Sequence, residues 1–331
     1  MYGIETDVIK EINPLDIVMF HVGGFGSYGP INAIISKFPR HSVVVCFEAN
    51  PSEDDLLVQE QYAKLGVRMV LFPKCVGGVE GKQNFYVNKQ AASSSLFPPA
   101  PQALQEHGPG YVRTWGENCE LDKVIEVDTI TLDAVVGDNT LPAPDVLSID
   151  AQGAELCIMR GGKRCITESV LCIVSEIEFF EIYQGQDLFR AQQDFLSEHG
   201  FRLADLLNPQ YWHPGPAAGT GFLTVSEALF FRDAEKYCSK FQNSASNVSL
   251  YTFMKLAATA YAFRRFSYSS KIVTFILENF GAEAKSLFLS HESFKPILYL
   301  QVYMQQNHHK YLKDSRFFEN LVEESLVYNV K

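Results

Sequence analysis

The chain has 331 residues, of which 47% are hydrophobic and 20% are charged, and its formal net charge is −11. This length suffices for one or two domains with a sizeable core, and the negative charge argues against a nucleic-acid partner, whose phosphates require a basic face. No run reaches the ~18 apolar residues of a membrane span, and residues 1–10 lack the apolar region of a secretory signal. We therefore expect a globular cytoplasmic protein without nucleic-acid or membrane partners.

The seven cysteines are odd in number and include no C-x-x-C pair. Several fall in apolar strand or helix patterns, where a free cysteine behaves as a small hydrophobic residue. Buried reduced thiols are therefore expected, rather than disulfides or metal ligands.

Residues 1–233 alternate between apolar strands and helices. Residues 75–120 interrupt this alternation and predict loops with one short strand at residues 84–88. Continuous apolar strands separated by helices are typical of a parallel sheet covered on both faces. The other predicted strands are residues 17–22, 43–48, 67–72, 124–127, 146–149, 170–176, 201–206 and 228–231. The predicted helices are residues 30–37, 52–66, 153–160 and 188–198.

Composition changes near Ala234. Residues 1–233 contain 16 Lys and Arg against 31 Asp and Glu, whereas residues 234–331 contain 12 against 8, so the net charge changes from −15 to +4. The later part predicts helices over residues 250–280, 282–289, 296–306 and 316–327. We therefore predict an all-helical second domain over residues 234–331, either accessory to the first domain or serving as a dimerisation surface or substrate lid.

A glycine-rich turn follows the first predicted strand. Residues 24–29 match G-x-G-x-x-G, and Glu48 ends the next strand 19 residues after Gly29. Glycines allow a cofactor to approach the backbone, and an acid at that spacing accepts hydrogen bonds from ribose hydroxyls. The turn alone fits either a dinucleotide such as NAD or S-adenosylmethionine (SAM).

Four polar side chains lie at or beside predicted strand ends: His21, Glu48, Asp150 and Glu176. Ligands of open parallel sheets bind outside the carboxyl ends of the strands, where the strand order reverses. We therefore expect these residues to surround one ligand site.

Several segments occur in a fixed order: Phe-Glu-Ala-Asn-Pro at 47–51, Thr-Ile-Thr-Leu-Asp at 129–133, Ser-Ile-Asp-Ala-Gln-Gly-Ala-Glu at 148–155 and Met-Arg-Gly-Gly at 159–162. Together they closely resemble the FkbM family of SAM-dependent methyltransferases, over residues 15–232. That family has V-D-V-G-A-N-x-G, F-E-P-N-P, T-x-x-L-D, K-I-D-V-E-G-x-E and L-x-G. The chain departs from this pattern at His21 for Asp, Gly24-Phe25 for Ala-Asn, Ser148 for Lys and Gln152 for Glu.

The resemblance implies a Rossmann-like class I methyltransferase sheet in an α/β fold, with SAM as cofactor and O-methylation of a small-molecule or sugar hydroxyl. Methyl transfer requires alignment of the acceptor with the methyl carbon, and a hydroxyl acceptor also needs a base. Asp150 is the first candidate for that base and Glu176 the second. No metal is predicted. The predicted cofactor-binding residues are His21, Gly23, Gly24, Gly26, Glu48, Ala49, Asn50, Cys75, Val76 and Asp150.

Each of these assignments has a structural alternative. Asp150 could cap the following helix, His21 could be a hydrogen-bonded core histidine, and Glu48 a plain surface carboxylate. We expect Glu155 to support the turn from within the helix. Tyr211, Trp212 and His213 lie in a Pro/Gly-rich stretch that predicts either an acceptor-lining loop or an ordinary surface loop.

Two alternative functions remain at this point. Ser148 and Gln152 motivate a non-catalytic binding protein on a degenerate methyltransferase scaffold. The glycine motif and Glu48 motivate an NAD-dependent oxidoreductase, although the helical tail offers no evident catalytic base.

Overall fold

The computed structural model describes residues 9, 11–23, 29–49, 53–106, 115–138, 141–212, 221–242 and 249–306. These residues form two compact units divided after Asp233, except that residues 33–38 group with the second unit. Within the described residues, no helix is both long enough and apolar enough to cross a membrane. The assignment of residues 234–331 to an accessory domain stays a prediction.

The described residues contain ten strands and twelve α-helices. The strands are β1 (Ile17–Gly23), β2 (Ser42–Phe47), β3 (Arg68–Phe72), β4 (Cys75–Val76), β5 (Gly81–Asn88), β6 (Leu121–Ile130), β7 (Val146–Asp150), β8 (Cys172–Glu178), β9 (Phe201–Trp212) and β10 (Phe222–Arg232). The helices are α1 (Asn32–Lys37), α2 (Glu53–Lys64), α3 (Pro101–Glu106), α4 (Trp115–Asn118), α5 (Leu132–Gly137), α6 (Glu155–Gly161), α7 (Lys163–Glu168), α8 (Phe189–Glu198), α9 (Ala234–Gln242), α10 (Leu250–Ala262), α11 (Phe266–Ser290) and α12 (Lys295–Gln306).

Seven strands form the main sheet in the order β3-β2-β1-β7-β8-β10-β9. The first five of these are mutually parallel, whereas β10 is antiparallel to β8 and β9. The order reverses between β1 and β7, which marks the carboxyl ends of these strands as the expected ligand edge. The α/β class I sheet is confirmed. The all-parallel expectation is wrong for the last pair, because fewer than about a dozen residues join β9 to β10 and a parallel crossover needs more.

A second sheet of three strands, in the order β4-β6-β5, occupies the region predicted to be mostly loops. The whole of β5 and β6 pairs antiparallel, from Gly81 with Thr129 to Asn88 with Leu121. The predicted strands at residues 84–88 and 124–127 lie within β5 and β6, and most side chains of β6 are exposed, so its sequence lacks a long apolar run. The loop prediction for residues 75–120 is wrong in its extent, because β4, the first part of β5 and the helices α3 and α4 also fall there.

The main sheet is buried along most of its central strands. Phe20 on β1 contacts Phe47 on β2 edge to face, with ring centroids 5.2 Å apart. One apolar cluster includes Phe20, Leu147 and Ile149 together with helix residues such as Leu156. Burial of β1, β2 and β7 explains their continuous apolar sequences.

The second unit is helical in its described part. Ser249 caps α10 by accepting a hydrogen bond from the Thr252 backbone amide at 3.3 Å. The single helix predicted over residues 250–280 is wrong, because the chain leaves helical geometry at Arg264, where φ is +59°. Gly281, with φ +52°, is the non-helical residue inside α11. The helix predicted over residues 316–327 lies outside the described residues.

Arg232 is the last residue of β10 and is only 3% exposed. Its guanidinium donates to the carbonyls of Val170 at 2.6 Å, Thr167 at 2.7 Å and His199 at 3.0 Å, and also to that of Ile166. It also lies 4.4 Å from the centre of the Phe201 ring. One side chain therefore joins the carboxyl-terminal part of α7 to the end of α8.

Arg232→Lys is expected to lower the free energy of unfolding by about 2 kcal/mol, because a lysine cannot reproduce the planar fork and leaves buried carbonyls unpaired. Urea denaturation measures the change. Arg202→Lys is the matched control, since Arg202 is 72% exposed and makes one loose ion pair at 3.8 Å. Equal stability of the two variants would contradict a structural role for the Arg232 guanidinium.

Candidate active site

The register of the main sheet brings the predicted site residues together. Gly23 at the end of β1 pairs with Asp150 at the end of β7, and His21 pairs with Ser148. Glu176 on β8 lies directly opposite Glu227 on β10. A small cavity at this edge is lined by His21, Pro30, Ser148, Ile149, Asp150, Val174, Glu176 and Glu227. Strand ends that are far apart in sequence thus supply a common site.

Gly23 permits the close approach of β1 and β7. Its φ is +76°, and a Cβ there would lie 2.0 Å from the carbonyl oxygen of Asp150. No other residue fits without separating the two strands. The predicted cofactor residues Gly24, Gly26 and Asn50 lie outside the described residues, as does His213.

Gln152 connects the two predicted catalytic carboxylates. Its Nε2 donates to Asp150 Oδ1 at 2.7 Å and to Glu176 Oε2 at 2.8 Å. Its Oε1 accepts the Tyr183 hydroxyl at 2.8 Å. Gln152 also has φ +53°, uncommon for a residue other than glycine. The sequence singled out Gln152 only as a departure from a family pattern, and the bridge itself was not predicted.

Glu155 supports the turn that follows β7. Its Oε1 accepts hydrogen bonds from the backbone amides of Ala151 at 2.8 Å and Gly153 at 3.2 Å, which confirms its predicted role. Helix α6 begins at Glu155 and has no side-chain cap, so the alternative role of Asp150 as a helix cap is wrong.

The site concentrates buried negative charge. Burial, followed by the charge of Asp150, raises the pKa of Glu176 well above its ordinary value, and Glu176 is also hydrogen bonded to Asp150. Burial raises the pKa of Glu155 to about 7. Among the described residues, those that line the cavity include no lysine or arginine. Asp150, beside Gly23 at the end of β7, stays the first candidate for the base.

Two departures from the family pattern meet in the structure. His21 Nδ1 lies 3.0 Å from Ser148 Oγ, and both residues are buried on adjacent strands. A hydrogen-bonded histidine–serine pair therefore stands where the family pattern has an acid and a lysine.

Glu48 and Cys75 lie together beside β2 and β4. The Glu48 carboxylate is close enough to raise the pKa of the buried Cys75 thiol, which burial and this charge together bring to about 11. Glu48 is partly buried and its backbone amide donates to the Phe72 carbonyl at 3.2 Å. Val76 is buried next to Cys75, whereas Ala49 is exposed. Glu48 therefore lies near Cys75 at the end of β2, and its contact with a ribose stays a prediction.

Tyr211 and Trp212 lie at the end of β9, so their prediction as loop residues is wrong. They extend the hairpin, pairing with Leu223 and Phe222 of β10. Tyr211 is 47% exposed. The ring of Trp212 contacts that of Trp115 at 5.7 Å between centroids, and Trp115 meets Tyr183 edge to face at 5.8 Å. A line of aromatic rings thus runs from Trp212 to the hydroxyl that binds Gln152.

Comparison with known proteins adds to this geometry. The family profile described as Methyltransferase FkbM domain matches residues 25–203. No curated protein matches the chain. Among solved structures, the crystal structure of Methyltransferase FkbM from Methylobacillus flagellatus KT is similar at 14% sequence identity, with a TM-score of 0.36 over 65% of this chain. The match spans 43% of that structure's chain. The profile match includes Glu48, Asp150 and Gln152.

Proposed function

The chain belongs to the FkbM methyltransferase domain family, and from this premise we propose that it transfers a methyl group from SAM to a hydroxyl of a small molecule or sugar. The observation that carries the proposal is the position of Asp150. Its carboxylate lies at the strand-order reversal, beside the glycine end of β1 and inside the cavity. Family membership favours this activity over the NAD-dependent alternative.

The described residues fit such a cofactor. Gly23 lets β1 and β7 approach each other closely, which places the end of β1 beside Asp150 at the edge where a ligand is expected. Glu48 would accept hydrogen bonds from the ribose hydroxyls, and Cys75 and Val76 would flank the adenine as apolar contacts. SAM supplies an activated methyl group on a positively charged sulfur. The acids of the cavity suit a cationic ligand.

The protein's own contribution is alignment and proton removal. Asp150 would accept the proton of the acceptor hydroxyl as the oxygen becomes the nucleophile. Gln152 fixes the Asp150 carboxylate through its amide and is itself held by Tyr183. Glu227 faces the same cavity, and the rings of Trp212 and Trp115 offer an apolar surface for an acceptor. Tyr211, more exposed, would contact the outer part of that acceptor.

Calorimetric titration with SAM, S-adenosylhomocysteine and NAD in parallel tests the cofactor. Micromolar binding of the first two without NAD is the expected result, and an acceptor screen then follows. Binding of NAD alone would overturn the proposal. Binding of none of the three would favour a non-catalytic protein on a methyltransferase scaffold.

Glu48→Gln is expected to weaken SAM binding about tenfold, because an amide replaces a charged acceptor of the ribose hydroxyls and such hydrogen bonds contribute about 1.5 kcal/mol. The same titration measures it. Glu60→Gln, at an exposed position of α2, is the control and should bind like the unchanged protein. Unaltered affinity in Glu48→Gln would remove Glu48 from the cofactor site.

The remaining partner assignments are also proposals. We propose a small-molecule or carbohydrate acceptor, no nucleic-acid or membrane partner, and a homodimer formed through the helical second unit. Light scattering of the full chain tests the last point, and a monomeric mass at micromolar concentration would exclude it.

A further inference from the structure

Three glutamates form a compact group beside the cavity. Glu176 and Glu178 are two residues apart on β8, so the alternation of the strand directs both toward the same side. Glu155 reaches them from the first turn of α6. One carboxylate oxygen from each lies within 4.8 Å of the other two. Three acids from two elements thus surround one point.

The carboxylate of Glu178 is the feature that points to a ligand in this group. It is fully buried at 0% exposure, and neither of its oxygens makes a hydrogen bond within the described part of the chain. The side-chain amide of Gln186 lies near Glu178 and opposes the rise of the Glu178 pKa. Among the described residues, the Gln186 nitrogen makes no hydrogen bond. The Gln186 oxygen accepts hydrogen bonds from the backbone amides of Ile182 and Tyr183. A buried carboxylate without partners is costly, so a native protein needs a ligand or a proton there.

Glu155 presents a second vacant acceptor to the same point. Its Oε1 is occupied by two backbone amides, but its buried Oε2 has no hydrogen-bond partner among the residues that the structure describes. The amides hold Glu155 rigidly in place, which prepares its free oxygen for coordination. The two fully buried carboxylates, Glu155 and Glu178, therefore each combine an oxygen without a hydrogen-bond partner among the described residues with an oxygen close to Glu176.

The donor set selects a class of ligand. All three side chains offer oxygen, and the group contains no sulfur or imidazole nitrogen. Carboxylate oxygens suit hard divalent cations such as Mg²⁺ and Mn²⁺, which also retain water ligands. Glu176 belongs both to this group and to the cavity lining, so the group adjoins the cavity.

We propose that Glu155, Glu176 and Glu178 bind a divalent cation of the Mg²⁺ and Mn²⁺ class. The ion balances the charge of the buried carboxylates and fixes Glu176, which shares the Gln152 amide with Asp150. The site stands on these three side chains and holds whether or not the chain transfers methyl groups.

Calorimetric titration of the full chain with MnCl₂, after removal of metals by a chelator, tests the site at pH 7.5. A single saturable site is expected, with a rise in Tm of about 3 °C at saturation, because an ion that binds only the folded chain stabilises it. Electron paramagnetic resonance of Mn²⁺ should show loss of the free-ion signal at one ion per chain. MgCl₂ should compete for the same site.

Glu178→Gln is the diagnostic variant, since it preserves shape and removes one ligand charge. Its affinity for Mn²⁺ should fall at least tenfold, whereas Glu126→Gln, at an exposed position of β6, should bind like the unchanged protein. Equal affinity in both variants would overturn the assignment of these ligands. If Glu178→Gln fails to fold, the titration of the unchanged protein still tests the proposal. Absence of saturable Mn²⁺ binding to the unchanged protein would overturn it, because protons alone would then neutralise the three glutamates.

Discussion

Asp150→Asn is expected to lower kcat for methyl transfer at least a hundredfold, with little change in the affinity for SAM. General bases contribute about 10²- to 10⁴-fold to rate, and an amide cannot accept the proton of a hydroxyl. Asparagine has the shape of aspartate and keeps a carbonyl oxygen that can accept the Gln152 amide, so the network should persist. The change therefore removes the base while leaving the cavity intact.

Single-turnover kinetics and calorimetry on the same preparation separate these two effects. Asp194→Asn is the matched control, because Asp194 is 69% exposed on α8 and its ion pair with Arg190 is loose at 3.7 Å. Control activity should equal that of the unchanged protein. A kcat within threefold of the unchanged value in Asp150→Asn would reject Asp150 as the base and direct attention to Glu227 and Glu176, which line the same cavity.

Gln152→Glu is expected to lower the free energy of unfolding by about 3 to 5 kcal/mol at pH 8, although it restores the residue of the family pattern. The new carboxylate would face Asp150 and Glu176, to which Gln152 now donates. Two hydrogen bonds are lost and like charges are brought together in a partly buried site, where an uncompensated charge costs several kcal/mol. The family's lysine, which could balance this charge, is Ser148 here.

The loss should be smaller at pH 5 than at pH 8. Burial and the neighbouring acids raise the pKa of the added carboxyl, so the folded state holds its proton as the pH rises past the pKa of the unfolded chain. The loss in the free energy of unfolding therefore grows as the pH increases. It is small while the added carboxyl is protonated in both the folded and the unfolded state. Urea denaturation at the two pH values measures this, with the exposed change Gln305→Glu on α12 as control. A loss in the free energy of unfolding that is the same at both pH values would indicate that the cause is steric and not electrostatic.

The sequence determined the strand ends of the site. Apolar runs that end in His21, Glu48, Asp150 and Glu176 predict that these residues meet at one edge, because parallel strands align their carboxyl ends. The structure brings His21, Asp150 and Glu176 to one cavity and Glu48 to the neighbouring Cys75. The sequence also showed a glycine at the end of β1, Gly23, where the paired strand β7 leaves no space for a Cβ.

Only the tertiary structure decided which polar atoms are partners. Gln152 looked like a lost acid in the sequence, whereas in the fold it is the donor shared by two carboxylates and the acceptor of Tyr183, 31 residues away. The group of Glu155, Glu176 and Glu178 likewise joins a helix to a strand. Local patterns report burial and periodicity, but a hydrogen bond between distant residues depends on how the elements pack. The physical reason is that side-chain partners are chosen by three-dimensional proximity, which no local pattern encodes.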